Sequence, residues 1–461
     1  MFAKIETIDR DTPMLLPPDL RDWVPEDDMV HFVIEAVARV GLSAFKLNER
    51  GSGSAQKSPH MMLALLIYCY SNGIFSSRKI ERATYRDVAV RYLTGNTHPD
   101  HDTICKFRRE NLPAISVAFV EILQLAREVG VLKLGKVSTD GTQIKASAAM
   151  SRNIGYERAL ELQEQLRQDI DSLLSQAESA DQSDEDEQRL PKELERRTKL
   201  LEKMDEAVAG LKKRAEQVQA KEQAKYEKKL AERERKARET GKKVSGKEPK
   251  APTKDTEQIA RESKGTYNLS DPDSRVMRKS KHGAYTQSLN AQASVDAEGS
   301  FLVVGNHLTQ KSGDWDELVA AHEAISEELG KPSALIADAG YSNAEAFEQL
   351  EEQGCEVYVS VSSENDHNRR GYEFRPPDKL KAPKQLRNPR LLAMRDKLQT
   401  EAGKAIYKLR SQTVETVFGI IKEAIGFRSF RLRGMQKMQG EWELVCLAYN
   451  CKRLHTIIPK S

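Results

Sequence analysis

Between Tyr156 and Glu262 roughly half of the residues are charged, and no compact core can absorb such a stretch. Within it Leu194, Leu201, Val208 and Ala215 recur every seven positions, with Met204, Leu211 and Val218 at the matching offset. A seven-residue apolar repeat is the seam of a coiled coil. Upstream, Leu162, Leu166, Ile170, Leu173 and Ala177 form a second helical stripe, and the acidic, poorly helical Ala180–Gln188 separates the two. Pro191 suits the first turn of the second helix. The segment therefore predicts a helical hairpin with a Lys/Arg-rich tail, Lys221–Arg238, and then a linker with Gly241, Gly246, Pro249 and Pro252 whose composition reads as disordered. Three roles stay open for it: a dimerisation arm, a DNA clamp, or a tolerated surface insertion.

Any globular fold must be assembled from what lies on either side. Ahead of the insertion come a Pro-rich arm (Leu16-Pro17-Pro18-Asp19-Leu20), a short helix Met29–Val40, a Gly/Ser-rich loop Asn48–Ser58 and the all-apolar run Met61–Tyr70, which calls for burial. Ser76-Ser77 caps a further helix and Val88–Leu93 follows. Asp102 or Thr103 then caps a helix that exposes Lys106, Arg108 and Arg109 while Ile104 and Phe107 face inward. Short helices ending in a basic face fit a helix-turn-helix-like DNA reader, or equally a plain bundle with a solvated face.

The helix Ala114–Val129 ends at Gly130, and Val131–Val137 reads as a strand that delivers Asp140 at its end. Beyond the insertion, Leu289–Val295 and Phe301–Val304 alternate as a hairpin of strands. Trp315–Leu329 reads as a helix, Ala334–Ala337 as a strand ending at Asp338, Ala344–Gln353 as a helix and Glu356–Val361 as a strand. A basic, Pro-containing loop (Asn368–Arg390) leads to a helix around Leu391–Leu398. With the insertion set aside, this is the element order of a ribonuclease H-like fold, a mixed sheet with helices on both faces. The expected division is a helical N-terminal DNA-binding domain at 1–130, a catalytic α/β domain at 131–150 and 265–455, and the charged coiled-coil insertion at 151–264.

In that fold Asp140, Asp338 and Glu415 meet at one sheet edge. A helix from about Ser411 carries Val414, Val417, Phe418 and Ile421 on one face, with Glu415 and Lys422 seven residues apart along its edge. Taken alone, this is also the pattern of an ordinary surface helix. Three converging carboxylates repel one another unless a cation sits between them, and oxygen ligands favour Mg²⁺ or Mn²⁺. Two such ions about 4 Å apart would activate a water or a 3′-hydroxyl for in-line attack on a phosphodiester. Gly141 and Gly340 leave room for a close approach.

Composition bounds the reading without deciding it. The net charge of +3 says nothing by itself about nucleic acid. Five cysteines (Cys69, Cys105, Cys355, Cys446, Cys451) without a C-x-x-C pair predict reduced thiols. The longest apolar run is about half of what spans a bilayer, so a cytoplasmic protein is expected.

The motifs Ser138-Thr139-Asp140-Gly141-Thr142, Asp271-Pro272-Asp273-Ser274-Arg275, Asn290-Ala291-Gln292, Ala337-Asp338-Ala339-Gly340-Tyr341 and Val414-Glu415-x-x-Phe418-Gly419 together resemble the bacterial insertion-sequence transposases of the Asp-Asp-Glu class, in the superfamily of insertion sequence five and its relatives. Ser76-Ser77-Arg78, Pro99-Asp100-x-x-Thr103 and Phe107-Arg108 resemble the DNA-binding part of the same family. The resemblance implies Asp140, Asp338 and Glu415 as the metal-binding triad, holding two Mg²⁺ or Mn²⁺ ions. It implies transposon ends and target DNA as partners, a homodimer on DNA, and a nucleoid-associated location. Lys422 would touch a phosphate near the cleaved end, and Tyr407 and Arg410 would contact DNA.

Two departures accompany the resemblance. The family signature spaces Tyr, Arg, Glu and Lys with one residue fewer between Arg and Glu. On a continuous helix the extra residue turns Arg410 roughly 140° away from Glu415. Either Arg410 precedes the helix, with Ser411 as its cap, or its role differs. The best-known members also carry a β-rich insertion just before the glutamate helix, whereas here a helical one follows the first strand. Two rival functions remain: a nuclease that cuts but cannot join strands, and a non-catalytic DNA-binding protein with a coiled-coil arm.

Overall fold

The computed structural model describes residues 19–47, 56–179, 184–240, 247–278, 283–361 and 386–458. Leu16–Pro18 of the Pro-rich arm, residues 48–55 of the Gly/Ser loop, 180–183 of the acidic stretch, 241–246 of the linker and all of the basic loop up to 385 lie outside these.

Among the described residues six α-helices come first: α1 (Met29–Ala38), α2 (Pro59–Ser71), α3 (Ser77–Arg86), α4 (Val88–Leu93), α5 (His101–Glu110) and α6 (Leu112–Glu128). Helix α2 is buried from Met62 to Ser71, as its unbroken apolar sequence requires. The cap of α5 is Asp100, not Asp102 or Thr103: its Oδ1 accepts from the Thr103 amide at 2.8 Å.

Strand β1 (Lys136–Lys145) follows, then β2 (Asn153–Ile154) and the insertion helices α7 (Tyr156–Ser179), α8 (Asp184–Thr240) and α9 (Thr256–Glu262). After them come β3 (Tyr267–Asn268), β4 (Arg275–Arg278), β5 (Tyr285–Asp296), β6 (Val303–Thr309) and α10 (Leu318–Glu323). The chain continues through β7 (Ala334–Ala337), α11 (Ala344–Glu352), β8 (Glu356–Val359), α12 (Pro389–Gln399), α13 (Glu401–Gln412), α14 (Val414–Gly419) and α15 (Met435–Ile457).

The main sheet runs β4-β5-β1-β7-β8, with β6 also on β5. β1 is antiparallel to β5 and parallel to β7, and β7 is parallel to β8, so the sheet is mixed. Strands β2, β3 and β4 were not legible in the sequence. The expected strand at Val131–Val137 starts only at Lys136, and it continues through Asp140 because Gly141 and Thr142 keep pairing with Gln292 and Ala291. The helix expected at Trp315–Leu329 shrinks to α10 and a 3₁₀ turn at Glu327–Leu329, separated by Ile325, which is fully buried and bridges to Gly305.

One continuous apolar core spans the N-terminal helices, the sheet and α15. Trp442 of α15 is fully buried and donates from Nε1 to the Gln292 carbonyl at 3.0 Å. Asn450 clamps both backbone groups of Val303, at 2.9 and 2.8 Å. The long C-terminal helix thus ties the first helices to the strands. All five cysteines are free thiols, four of them buried.

The insertion has its own small core of Ile154, Tyr156, Leu166, Met204, Val208, Leu211, Ala215 and Tyr267, among others. Asp169 meets Arg197 and Gln163 meets Asp205, so α7 and α8 run antiparallel. The seven-residue seam is buried at Val208 and Ala215, whereas Val218 is exposed. Pro191 sits inside α8, which begins earlier than the proline suggested. Gly210, between the seam residues Val208 and Leu211, lets the Tyr267 ring pack close: a Cβ there would lie 2.5 Å from it.

Candidate active site

The parallel register of β1 and β7 pairs Lys136 with Ala334, Val137 with Leu335 and Ser138 with Ile336. Two residues beyond the last pair stand Asp140 and Asp338. Successive even steps along a strand share a face, so the two carboxylates occupy the same level of neighbouring strands. Asp140 is mid-strand, held by the Gly141 amide donating to its Oδ1 at 2.8 Å. Asp338 caps the turn Ala339–Tyr341, its Oδ1 accepting from the Gly340 amide at 2.7 Å. Burial, and after it the charge of Asp338, push the Asp140 carboxyl up to about 7. Burial is the larger cause, and the Gly141 amide and the Arg410 charge offset it only in part.

Glu415 arrives from the other side. The helix expected from Ser411 is broken at Thr413, whose φ and ψ of −107° and −86° separate α13 from α14. Its Oγ1 donates back to the Leu409 and Arg410 carbonyls, at 2.9 and 3.2 Å, and closes the end of α13. Arg410 therefore lies in the last turn of α13 and Ser411 caps nothing. The break absorbs the extra residue. Arg410 Nη2 lies 3.1 Å from Glu415 Oε1, and its Nη1 lies 3.9 Å from Asp140 Oδ2. Both carboxylates and Asp338 act electrostatically on this guanidinium, which is buried and stands 6.0 Å from the Tyr407 ring centroid. Glu415 itself keeps 51% of its side chain exposed. Beyond α14, Ile420–Ala424 forms a π-turn, and Lys422 donates to the Thr142 hydroxyl and, at 3.2 Å, to the Gln143 carbonyl. Its ammonium thus faces β1 two residues past Asp140.

A fourth carboxylate, Asp314, went unread in the sequence. Its Oδ1 accepts from Asn290 Nδ2 at 2.7 Å and from Gln292 Nε2 at 2.6 Å, and its charge acts on Asp140. Gln292 in turn accepts from the buried Tyr341 hydroxyl. Gly141 is required beside them, since a Cβ would come 2.5 Å from Asp314 Oδ1. The Asn290-Ala291-Gln292 motif thus holds Asp314 against the Asp140 strand. Among the described residues no three His, Cys, Asp or Glu side chains are spaced to hold a metal ion. Arg410 stands between Asp140 and Glu415 in this arrangement.

The N-terminal candidates separate. Lys106 and Arg109 are exposed on α5. Arg108 is buried with 4% of its side chain exposed, and its Nη1 donates to the Tyr70 hydroxyl at 2.7 Å and the Phe75 carbonyl at 3.0 Å. The expectation of a DNA-reading Arg108 is corrected accordingly: α5 turns Ile104 and Arg108 inward together, one helical turn apart.

Two family models match the chain: "Transposase domain (DUF772)" over residues 18–110 and "Transposase DDE domain" over residues 264–451. The second takes in Asp338 and Glu415, and Asp140 reaches it through the pairing of β1. No curated protein and no solved structure was found to match. No helix among the described residues is long and apolar enough to cross a membrane. With both matches in one chain, and Asp140 brought level with Asp338 across the insertion, the chain belongs to the insertion-sequence transposases of the Asp-Asp-Glu class.

Proposed function

We propose that this transposase cleaves DNA at the ends of its element and joins them to target DNA, using Asp140, Asp338 and Glu415 in a ribonuclease H-like core of the insertion-sequence-five type. The observation that carries the reading is the levelled pair Asp140 and Asp338, facing Glu415 across Arg410. Hard carboxylate oxygens suit Mg²⁺ or Mn²⁺. Such ions supply a polarised water or 3′-hydroxyl and stabilise the leaving oxygen.

The side chains divide the remaining work. Asp140 and Asp338 offer the fixed oxygens that would hold the cation, Asp140 as its carboxylate. Arg410 holds Glu415 in place until a cation or a DNA phosphate competes for it, and Tyr407 supports the guanidinium. Lys422, kept beside Asp140 by Thr142, is placed to meet a phosphate next to the cleaved bond. The helices up to residue 130 supply DNA contacts through Lys106 and Arg109, residues 131–150 with 265–455 carry the chemistry, and 151–264 form a coiled-coil arm. We assign the working form as a cytoplasmic, nucleoid-associated homodimer on DNA.

The test is a plasmid carrying the gene with its flanking genomic DNA, incubated with purified protein and Mg²⁺. Excision and joined products are expected from the parent. Asp140→Asn, Asp338→Asn and Glu415→Gln should each abolish cleavage while DNA binding persists. Cleavage without joined product would replace this reading by a nuclease. Binding without cleavage in the parent would leave a non-catalytic DNA-binding protein.

A further inference from the structure

The Asp271-Pro272-Asp273-Ser274-Arg275 motif takes no part in the carboxylate site, and its geometry explains what it builds. Asp271 accepts from the Gly434 amide at 3.3 Å and Asp273 from the Met435 amide at 2.8 Å, so the turn is pinned to the start of α15. That pinning leaves the Pro272 carbonyl facing two guanidiniums. Arg275 Nη1 and Arg214 Nη2, the latter from α8 of the insertion, each donate to this one oxygen at 2.7 Å. The two donor nitrogens therefore lie within twice that distance of each other.

Among the described residues neither arginine makes an ion pair. Arg214 spends its other contacts on the Thr266 carbonyl and the Tyr267 ring, and Arg275 on the Ser274 carbonyl and Gln310. Burial, and after it the neighbouring Arg214, bring the Arg275 guanidinium down to about 10, while Asp273 and Asp271 act the other way. Both line an open cleft of about 640 Å³, together with Lys264 and Tyr285. Tyr285 is 57% exposed and carries Arg278 over its ring at 5.0 Å.

We propose that this cleft, formed where the insertion helix α8 meets the edge strand β4, binds the phosphodiester backbone of DNA beside the catalytic carboxylates. The proposal rests on the DNA-processing reading above. Position supports it: Gln310 and Ser312 line the cleft, and the same loop ends at Asp314, which is held against β1. Four residues of chain reach at most about 14 Å, a span of a few nucleotides. The insertion thereby completes a binding surface as well as projecting from the fold. A strand phosphate accepts from several N–H donors at once, which is what a pair of converging guanidiniums presents.

The experiment uses the full-length protein and a fluorescein-labelled duplex of scrambled sequence, titrated at several salt concentrations. Each lost phosphate contact should reduce the slope of log K against log salt by about 0.9. Arg214→Gln and Lys264→Gln should each show this loss, and Arg214→Lys should restore the parental slope. Lys264 is exposed, so its variant keeps the fold even if Arg214→Gln does not, and Lys264→Gln then decides. Parental slopes in the glutamine variants would overturn the cleft while leaving the DNA reading intact. A parent that binds no DNA would overturn the DNA reading itself, and the cleft with it.

Discussion

Arg108 and Arg410 share their chemistry and differ in their setting. Each is a buried arginine next to a tyrosine and a glutamate: Tyr70 and Glu441 for Arg108, Tyr407 and Glu415 for Arg410. Around Arg108 everything is enclosed. Glu441 is fully buried, accepts from the Tyr70 hydroxyl at 2.9 Å, and takes the Arg431 and Leu432 amides at 2.7 and 3.0 Å. That cluster fastens α2 and α5 to α15. Around Arg410 the glutamate is half exposed and two further aspartates crowd in. One arginine closes a charge ledger inside the core. The other sits in a carboxylate cluster of which Glu415 is half exposed.

The largest effect expected from this contrast is on stability. Arg108→Leu strands Glu441 in the core, and removing one partner of a buried pair costs about 3–5 kcal/mol. The amides and Tyr70 that still serve Glu441 place the loss at the lower end. Arg410→Leu removes a buried guanidinium whose Glu415 partner stays half exposed, so it should cost less than Arg108→Leu yet abolish or sharply reduce cleavage. Urea titration of both variants beside the plasmid assay checks it. Equal destabilisation by the two would erase the distinction.

The second effect is a pH dependence confined to the Arg410 side. The folded carboxyl of Asp140 is raised to about 7, above an unfolded value of about 3.9. Between those values the folded state holds a proton that the unfolded state has lost, so stability falls as pH rises across that window and levels off above it. In metal-free protein Asp140→Asn should flatten this slope and be more stable than the parent at pH 8. Adding Mg²⁺ below pH 7 should release a proton, visible as a buffer-dependent heat, and little above it. A parent whose stability is flat from pH 5 to 8 would mean that Arg410 already neutralises the cluster.

What could be read in advance followed from local rules. Asp140 and Asp338 each follow an apolar run and precede a glycine or a Gly-Tyr turn, so strand and carboxylate were visible together. The break at Thr413 was half visible: the extra residue after Arg410 announced an irregularity but not its form. Asp314 was hidden because Gly313-Asp314 before a helical pattern looks like any helix cap, and only the amides of β5 reveal its place. Strands β2, β3 and β4 are two to four residues long, too short to show a period. Arg108 was misread since a basic residue on an amphipathic helix is exposed by default. Its burial depends on Tyr70 and Glu441, which lie far away in the chain.

The smallest effect separates Arg108 from its neighbours on the same helix. Lys106 and Arg109 flank it on the exposed side of α5, where substitutions rarely change stability by more than about 0.5 kcal/mol. Lys106→Ala and Arg109→Ala should therefore leave the urea midpoint in place, in contrast to Arg108→Leu. If either side chain meets only phosphate, its loss lowers affinity for all duplexes and reduces the salt slope by about 0.9. If Arg109 reads a base, its loss costs about 1–3 kcal/mol on the element's own end and little on scrambled DNA. A transposase has to find its ends among a genome of competing sites, and a helix that spends one arginine on the core has fewer left for that search. Base readout is thus expected from Arg109, the remaining exposed arginine of α5. Titrations of both variants on the flanking sequence and on a scrambled duplex, at two salt concentrations, decide between the two outcomes. Unchanged binding in both would move end recognition away from α5, toward the basic surface of the insertion.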